Sequence, residues 1–182
     1  MNYNASTRER IADIKNGLIV QTAKELAYTA FGGSAQAYPF RVYNRVLIHA
    51  LWFEVGATTL ANASSTTEFQ FNFISDTPSI AVQPISATSA DCDGFVRGRR
   101  ISLPGATIAT ATNVDGSAGI SIACPGGASC NLVVGVAPSA TVDPSIGRIG
   151  FLYLTTALNA GTGQFTLFYT PIDPGAYVVA LL

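Results

Sequence analysis

Thr66–Ile74 reads Thr-Thr-Glu-Phe-Gln-Phe-Asn-Phe-Ile, with Phe69, Phe71 and Phe73 at every second position. Successive side chains of a strand point to opposite faces, so a strand with one apolar face is predicted over Thr66–Ser75. Gln164-Phe-Thr-Leu-Phe-Tyr-Thr170 alternates in the same way. Further strands are expected at Phe40–Val55, Ser79–Ala87, Phe95–Ser102, Ala106–Thr112, Ile120–Cys124, Leu132–Val136, Ile149–Leu158 and Tyr177–Leu181. Turn chemistry separates them: Asp76-Thr-Pro78, Leu103-Pro-Gly105, Asn113-Val-Asp-Gly116, Pro125-Gly-Gly127 and Asp143-Pro144 either need unusual φ values or remove a backbone donor. Asn159-Ala-Gly-Thr-Gly163, between two alternating runs, reads as a hairpin. Many short strands at close spacing predict a mainly β domain over residues 36–182, an antiparallel sandwich or barrel of jelly-roll-like kind.

The first 35 residues follow another pattern. Ser6-Thr-Arg-Glu9 matches a capping box, and Ile11, Ile14, Leu18 and Leu26 sit near helical spacing. Gly32-Gly33 is a plausible stop. These features predict an N-terminal α-helical arm, one helix or two short ones between Ser6 and Phe31, with a weak point at Asn16-Gly17. Its apolar stripe is narrow, so it must dock, either on its own β domain or on a neighbour.

Charge changes the picture. Seven charges fall within residues 1–34, whereas Ile101–Leu182 holds only Asp115, Asp143, Arg148 and Asp173. Charged residues make up 12% of the chain, hydrophobic ones 48%, and mean hydropathy is +0.34; average usage is nearer a quarter charged. The outward side of each strand is thus expected to carry Thr, Ser, Asn, Gln and Ala. Such edges and faces invite pairing with other chains unless they are covered, which favours an assembly component. No run reaches the ~18 apolar residues of a membrane span, and the polar start lacks a signal peptide's apolar core. A chain made and used in a cytoplasm, or in a particle assembled there, is the expectation. A net charge of −1 supplies no basic field for nucleic acid. The local exception, Arg97-Gly-Arg-Arg100, reads as a solvated or ion-pairing turn, or as a contact for an acidic partner surface. Arg97, Arg99 and Arg100, with Ile11, Ile14 and Leu18 of the arm, are the candidate protein-interface residues.

Catalytic materials are scarce. His49 is the single histidine, and strict alternation places it with Leu47, Leu51 and Phe53, opposite Glu54, so it reads as a packing or interface residue. Two carboxylates flank the thiol in Asp91-Cys-Asp93 and should raise its pKa rather than activate it. Cys124 and Cys130 could close a small loop, but an odd count of three cysteines argues against a disulfide framework. Asn113, Asp115 and Ser117 lack the following bidentate Glu of a calcium loop. Neither a Gly-x-Ser-x-Gly elbow nor a phosphate-cradling loop occurs. No catalytic residue, cofactor or metal is expected.

Several of these segments also occur together elsewhere. Val46-Leu-Ile-His-Ala-Leu-Trp-Phe-Glu-Val55 followed by Thr58-Thr-Leu60, the Phe-rich strand, Ile85-Ser-Ala-Thr-Ser89, and the closing Gly163-Gln-Phe-Thr-Leu-Phe-Tyr-Thr-Pro-Ile-Asp-Pro-Gly-Ala-Tyr-Val-Val-Ala180 resemble a group of small structural proteins of tailed bacteriophages. That group closes on Gly-x-x-x-Trp-x-Leu-x-Tyr-x-Pro-Leu-Asp-x-Gly-Ala-x-Val; here Phe165 stands near the Trp position and Ile172 replaces Leu. The resemblance covers about residues 40–182 and leaves the arm outside. It implies a non-enzymatic virion protein of the phage head, of cement or decoration type. Its partners would be the major capsid protein and copies of itself, as dimer or trimer, without nucleic acid or membrane. A tail or neck adaptor, a single-jelly-roll coat protein, and a receptor- or glycan-binding module are the alternatives.

Overall fold

The computed structural model describes residues 17–31, 36–62, 67–77, 79–86, 88–89, 91–102, 113–114, 132–138, 143–154 and 156–182. Alternating and β-branched runs give the strands β1 (Leu18–Gln21), β2 (Leu26–Ala27), β3 (Gln36–Tyr43), β4 (Val46–Val55), β5 (Ala61–Asn62), β6 (Phe69–Thr77) and β7 (Ser79–Pro84). They continue as β8 (Arg100–Ser102), β9 (Asn113–Val114), β10 (Leu132–Val134), β11 (Ile146–Tyr153), β12 (Leu158–Ala160), β13 (Thr162–Pro171) and β14 (Tyr177–Ala180). A single helical turn, α1 (Tyr28–Phe31), is the only α-helix among the described residues. No helix there is long and apolar enough to cross a membrane.

The fold is mainly β, and its strand pairs are antiparallel. One sheet runs β1-β13-β4-β8-β9, with β2 also on β13 and β10 also on β4. The other runs β14-β3-β11-β6-β7, and β5 with β12 forms a small ribbon. Among the described residues the sheets do not close into a barrel. They pack face to face through phenylalanine rings: Phe53 and Phe165 of the first sheet lie 5.5 and 5.0 Å from Phe151 of the second. Phe69 stacks on Phe151 at 4.4 Å, and Phe71 lies tilted beside it at 5.1 Å. Phe31 of α1 plugs one end against Phe53 at 4.6 Å.

The N-terminal expectation is corrected where it can be seen. Leu18–Gln21 is a strand, not helix, paired with Thr166–Tyr169 of β13. Leu18-Ile-Val20 includes two β-branched residues, and a neighbouring strand edge outweighs a narrow helical stripe. The helical expectation for 1–16, like the strands expected at Ala106–Thr112 and Ile120–Cys124 and the Cys124–Cys130 loop, lies outside the described residues. The expected hairpin at Asn159–Gly163 is also absent: β12 pairs β5, while β13 pairs β4.

Phe40–Val55, expected as one strand, is split between the sheets. Asn44 adopts φ +55° and breaks the run, a conformation that Asn tolerates better than most residues. Its buried side-chain oxygen accepts the Ser145 N–H at 2.9 Å. Beside it, Arg45 donates its backbone N–H, Nε and Nη2 to the Asp173 carboxylate at 3.1, 3.0 and 2.7 Å. This pair ties the β3–β4 crossover to the β13–β14 crossover.

The Arg45 side-chain hydrogen bonds, more than any other influence, hold the Asp173 carboxyl below its usual range. A depressed carboxyl stabilises the fold at every pH above its unfolded pKa, and that contribution drains as pH falls through the folded pKa. Asp173→Asn should therefore lower Tm at neutral pH and flatten the acid limb of Tm against pH. Parallel acid limbs in the two proteins would disprove the coupling.

The two long sides of the fold differ. At one, β1 and β14 adjoin, and the Ala23 N–H bonds the Leu182 carbonyl at 3.0 Å. At the other, among the described residues, β10 and the β6–β7 hairpin stand apart around a groove.

Candidate protein interface

The outer face of the seven-stranded sheet is set by a bulge. Phe168 pairs with Ala50 and Tyr169 with Ile48, so His49 is the extra residue. The bulge reverses the alternation. Val46 and Ile48 point inward before it, and Leu51, Phe53 and Val55 after it. Leu47, His49 and Trp52 lie outward, so the expectation that His49 shares a face with Leu51 and Phe53 is corrected. The His49 ring sits 5.0 Å from the Phe168 ring, and its Nε2 meets Thr170 Oγ1 at 2.8 Å.

Register then assembles an apolar surface from four strands. Ile19 pairs with Phe168 and Phe168 with Ala50; one row over, Thr170 pairs with Leu47 and Leu47 with Val133. Ile19 is 67% exposed and Val133 51%. None of these residues is charged.

At one margin, charge comes from the arginine-rich turn. Arg100 donates Nε to Glu54 at 2.6 Å and lies over the Trp52 ring at 5.4 Å. Arg99 covers Phe95 at 5.1 Å. Arg97 is exposed and, with Lys24, Glu25, Glu54 and Gln164, lines a small polar hollow of about 170 Å³. Across it, Glu25 Oε2 accepts Thr162 Oγ1–H and Ala57 N–H at 2.6 and 2.7 Å, bonds that hold its carboxyl below the usual range. The three arginines thus have different tasks: two brace aromatic rings of their own chain, and Arg97 faces outward. Leu18 turns inward against the core, away from its exposed neighbour Ile19. Ile11 and Ile14 lie outside the described residues.

No family model, curated protein or solved structure matches this chain.

The second candidate surface is the open long side. Its groove encloses about 420 Å³ between Phe73, Pro84 and Ile85 on one sheet and Leu132, Val134 and Val136 on the other. β7 pairs only β6 among the described residues, and β10 only β4. Ser79–Pro84 contains no charged residue, and Val82 is 46% exposed. Lysine, a usual guard of such edges, is missing here. Arg45 reaches the rim but is committed to Asp173.

The outer face of the five-stranded sheet is more polar. Arg148 grips Asp76 through two bonds, at 2.8 and 2.7 Å, beneath the Tyr38 ring. Tyr43 and Tyr177 stack at 4.3 Å. As for chemistry, Cys92 is buried and its thiol is pushed up to about 12, chiefly by burial, which leaves it protonated and unreactive. Among the described residues, no three His, Cys, Asp or Glu side chains gather as a metal site. Sequence reasoning missed Ile19, Val82 and Val133; the only available signal for Ile19 was an unbroken apolar triplet at 18–20, of which a strand must turn one member outward.

Proposed function

We propose that this chain is a non-enzymatic virion structural protein, a cement or decoration protein that stabilises a phage head through contacts with major capsid subunits and with copies of itself, as dimer or trimer. The observation that carries this reading is the long side left open among the described residues, with an uncharged edge strand beside an apolar groove. A strand edge offers main-chain hydrogen bonds to an extended partner segment, and the groove offers pockets for its side chains. Binding only the assembled lattice would stabilise that lattice by linkage. Many modest contacts repeated by symmetry would share the load of the packaged genome.

The repeated crossing of the chain between sheets (β3 to β4, β7 to β8, β11 to β13, β13 to β14) supports a jelly-roll-like reading of the sandwich, and with it the alternative of a coat protein. Heads lacking this chain should form and then release their DNA at a lower temperature than complete heads, read by dye uptake on heating. Failure to form heads would favour a coat protein. Intact heat resistance would remove the cement role. Densitometry of purified particles should find hundreds of copies; about a dozen would favour a tail or neck adaptor. The stacked Tyr43–Tyr177 pair favours a glycan-binding module as second reading, to be checked by glycan-array binding that is lost in Tyr177→Ala.

A further inference from the structure

We propose that the outer face of the five-stranded sheet holds a binding site for an acidic saccharide, in which Arg41 takes the sugar's carboxylate and the stacked pair of Tyr43 and Tyr177 carries its ring. The proposal rests on the glycan-binding reading, for which it names the ligand class, and it is separate from the cement role.

Charge selects the anion. The strands β14, β3, β11, β6 and β7 carry three charged residues between them, Arg41, Arg148 and Asp76. Arg41 and Arg148 stand directly opposite each other on neighbouring strands, where like charges repel. Asp76 is spent on Arg148, which leaves one guanidinium uncompensated. Among the described residues Arg41 has no ion pair, and its Nε is buried without an acceptor. A second donor of this face, Nδ2 of the fully buried Asn72, also lacks an acceptor there. Buried polar groups normally have partners, so a face with surplus donors suits a ligand rich in acceptors. Arg41 as a whole is only half-buried, which leaves it open to such a ligand. A guanidinium binds a carboxylate through paired N–H donors. One net positive charge matches a ligand with one carboxylate better than a polyanion.

Shape selects the sugar. Side chains two apart on a strand share a face, so Arg41 and Tyr43 project together, ~7 Å apart at ~3.3 Å per residue. Register puts Tyr177 beside Tyr43 and Val179 beside Arg41. The two tyrosine rings are stacked, 13° from parallel, and Tyr177 is 43% exposed on the border strand. A tyrosine ring offers an apolar face to the C–H side of a pyranose, and its hydroxyl can exchange hydrogen bonds with sugar hydroxyls. A pyranose lying on the rings would hold its carboxylate toward Arg41. The aliphatic neighbours Ile146 and Val179 are half-buried. They leave little exposed aliphatic surface for a peptide to bury, whereas a sugar needs only the ring and the donors.

The test is binding of the full chain to an array of uronic- and sialic-acid glycans, each beside its carboxyl-reduced counterpart. The acidic member of a pair should bind about tenfold or more tightly than the neutral one, as expected for a hydrogen bond to a charged group. Arg41→Gln should remove that preference without lowering Tm, because it also relieves the repulsion from Arg148. Arg41→Lys, which keeps the charge but loses the paired donors, should weaken the preference. Tyr177→Ala should weaken both members of each pair. Equal binding of acidic and reduced glycans would overturn the proposal and keep the glycan reading; binding of neither would overturn both. An acid preference that survives Arg41→Gln would overturn it by placing the site elsewhere. Competition by a glutamate-rich peptide as strong as that by the acidic glycan would overturn it in favour of an acidic protein segment.

Discussion

Phe151→Ala should lower stability by about 3–5 kcal/mol, the range for truncating a buried aromatic ring. At this chain length that corresponds to a fall of about 6–20 °C in Tm. Phe151 is fully buried and touches Phe53 and Phe165 across the sandwich and Phe69 and Phe71 within its own sheet, so one truncation loosens both layers. Domains of this kind are typically stable by only ~5–15 kcal/mol, so the variant should also populate unfolded chain at modest urea concentrations. Its neighbour Leu152 points outward and is half-buried; Leu152→Ala should cost far less. Differential scanning calorimetry of the pair decides the matter. Equal losses would mean that the ring cluster does not clamp the two sheets.

The second large effect is expected from a gain of one methyl group. A Cβ on Gly163 would collide with the Phe53 ring and lie 2.6 Å from the Glu54 carbonyl. Gly163 sits where β13 pairs with β2 on one edge and β4 on the other, so its backbone has little room to retreat. Overpacking of this kind costs about 1–3 kcal/mol. Because the ring is the main obstacle, Gly163→Ala should cost less in a Phe53→Leu background, a coupling read from urea melts of the four proteins. Strict additivity would show that the strain lies in the backbone rather than against Phe53.

The sequence showed its β character through period two, which placed Phe69, Phe71 and Phe73 together on one buried face. Its failures share a cause: each depends on a partner distant in the chain. Leu18–Gln21 is a strand because β13 lies beside it, more than 140 residues later. Tyr43–Val46 looked continuous because Asn44 gives no periodic signal; its positive φ is held by Ser145, which immediately precedes β11. The bulge at His49 lets the outer face join Leu47 to Phe168, and no alternation count reveals an inserted residue. Composition announced a sparsely charged exterior but not which surface carries it. The register of four strands had to be known before Ile19, Phe168, Leu47 and Val133 became one patch.

The unequal long sides bear on how far such molecules could polymerise. If two copies joined β7 to β7, each would present its laced β1–β14 border to the outside, with Ala23 and Leu182 already bonded to each other. The five-stranded sheet of the pair would then end on β14 at both tips rather than on a bare β7 edge. A protein this poor in charge would thereby limit growth from that edge through topology rather than through lysine.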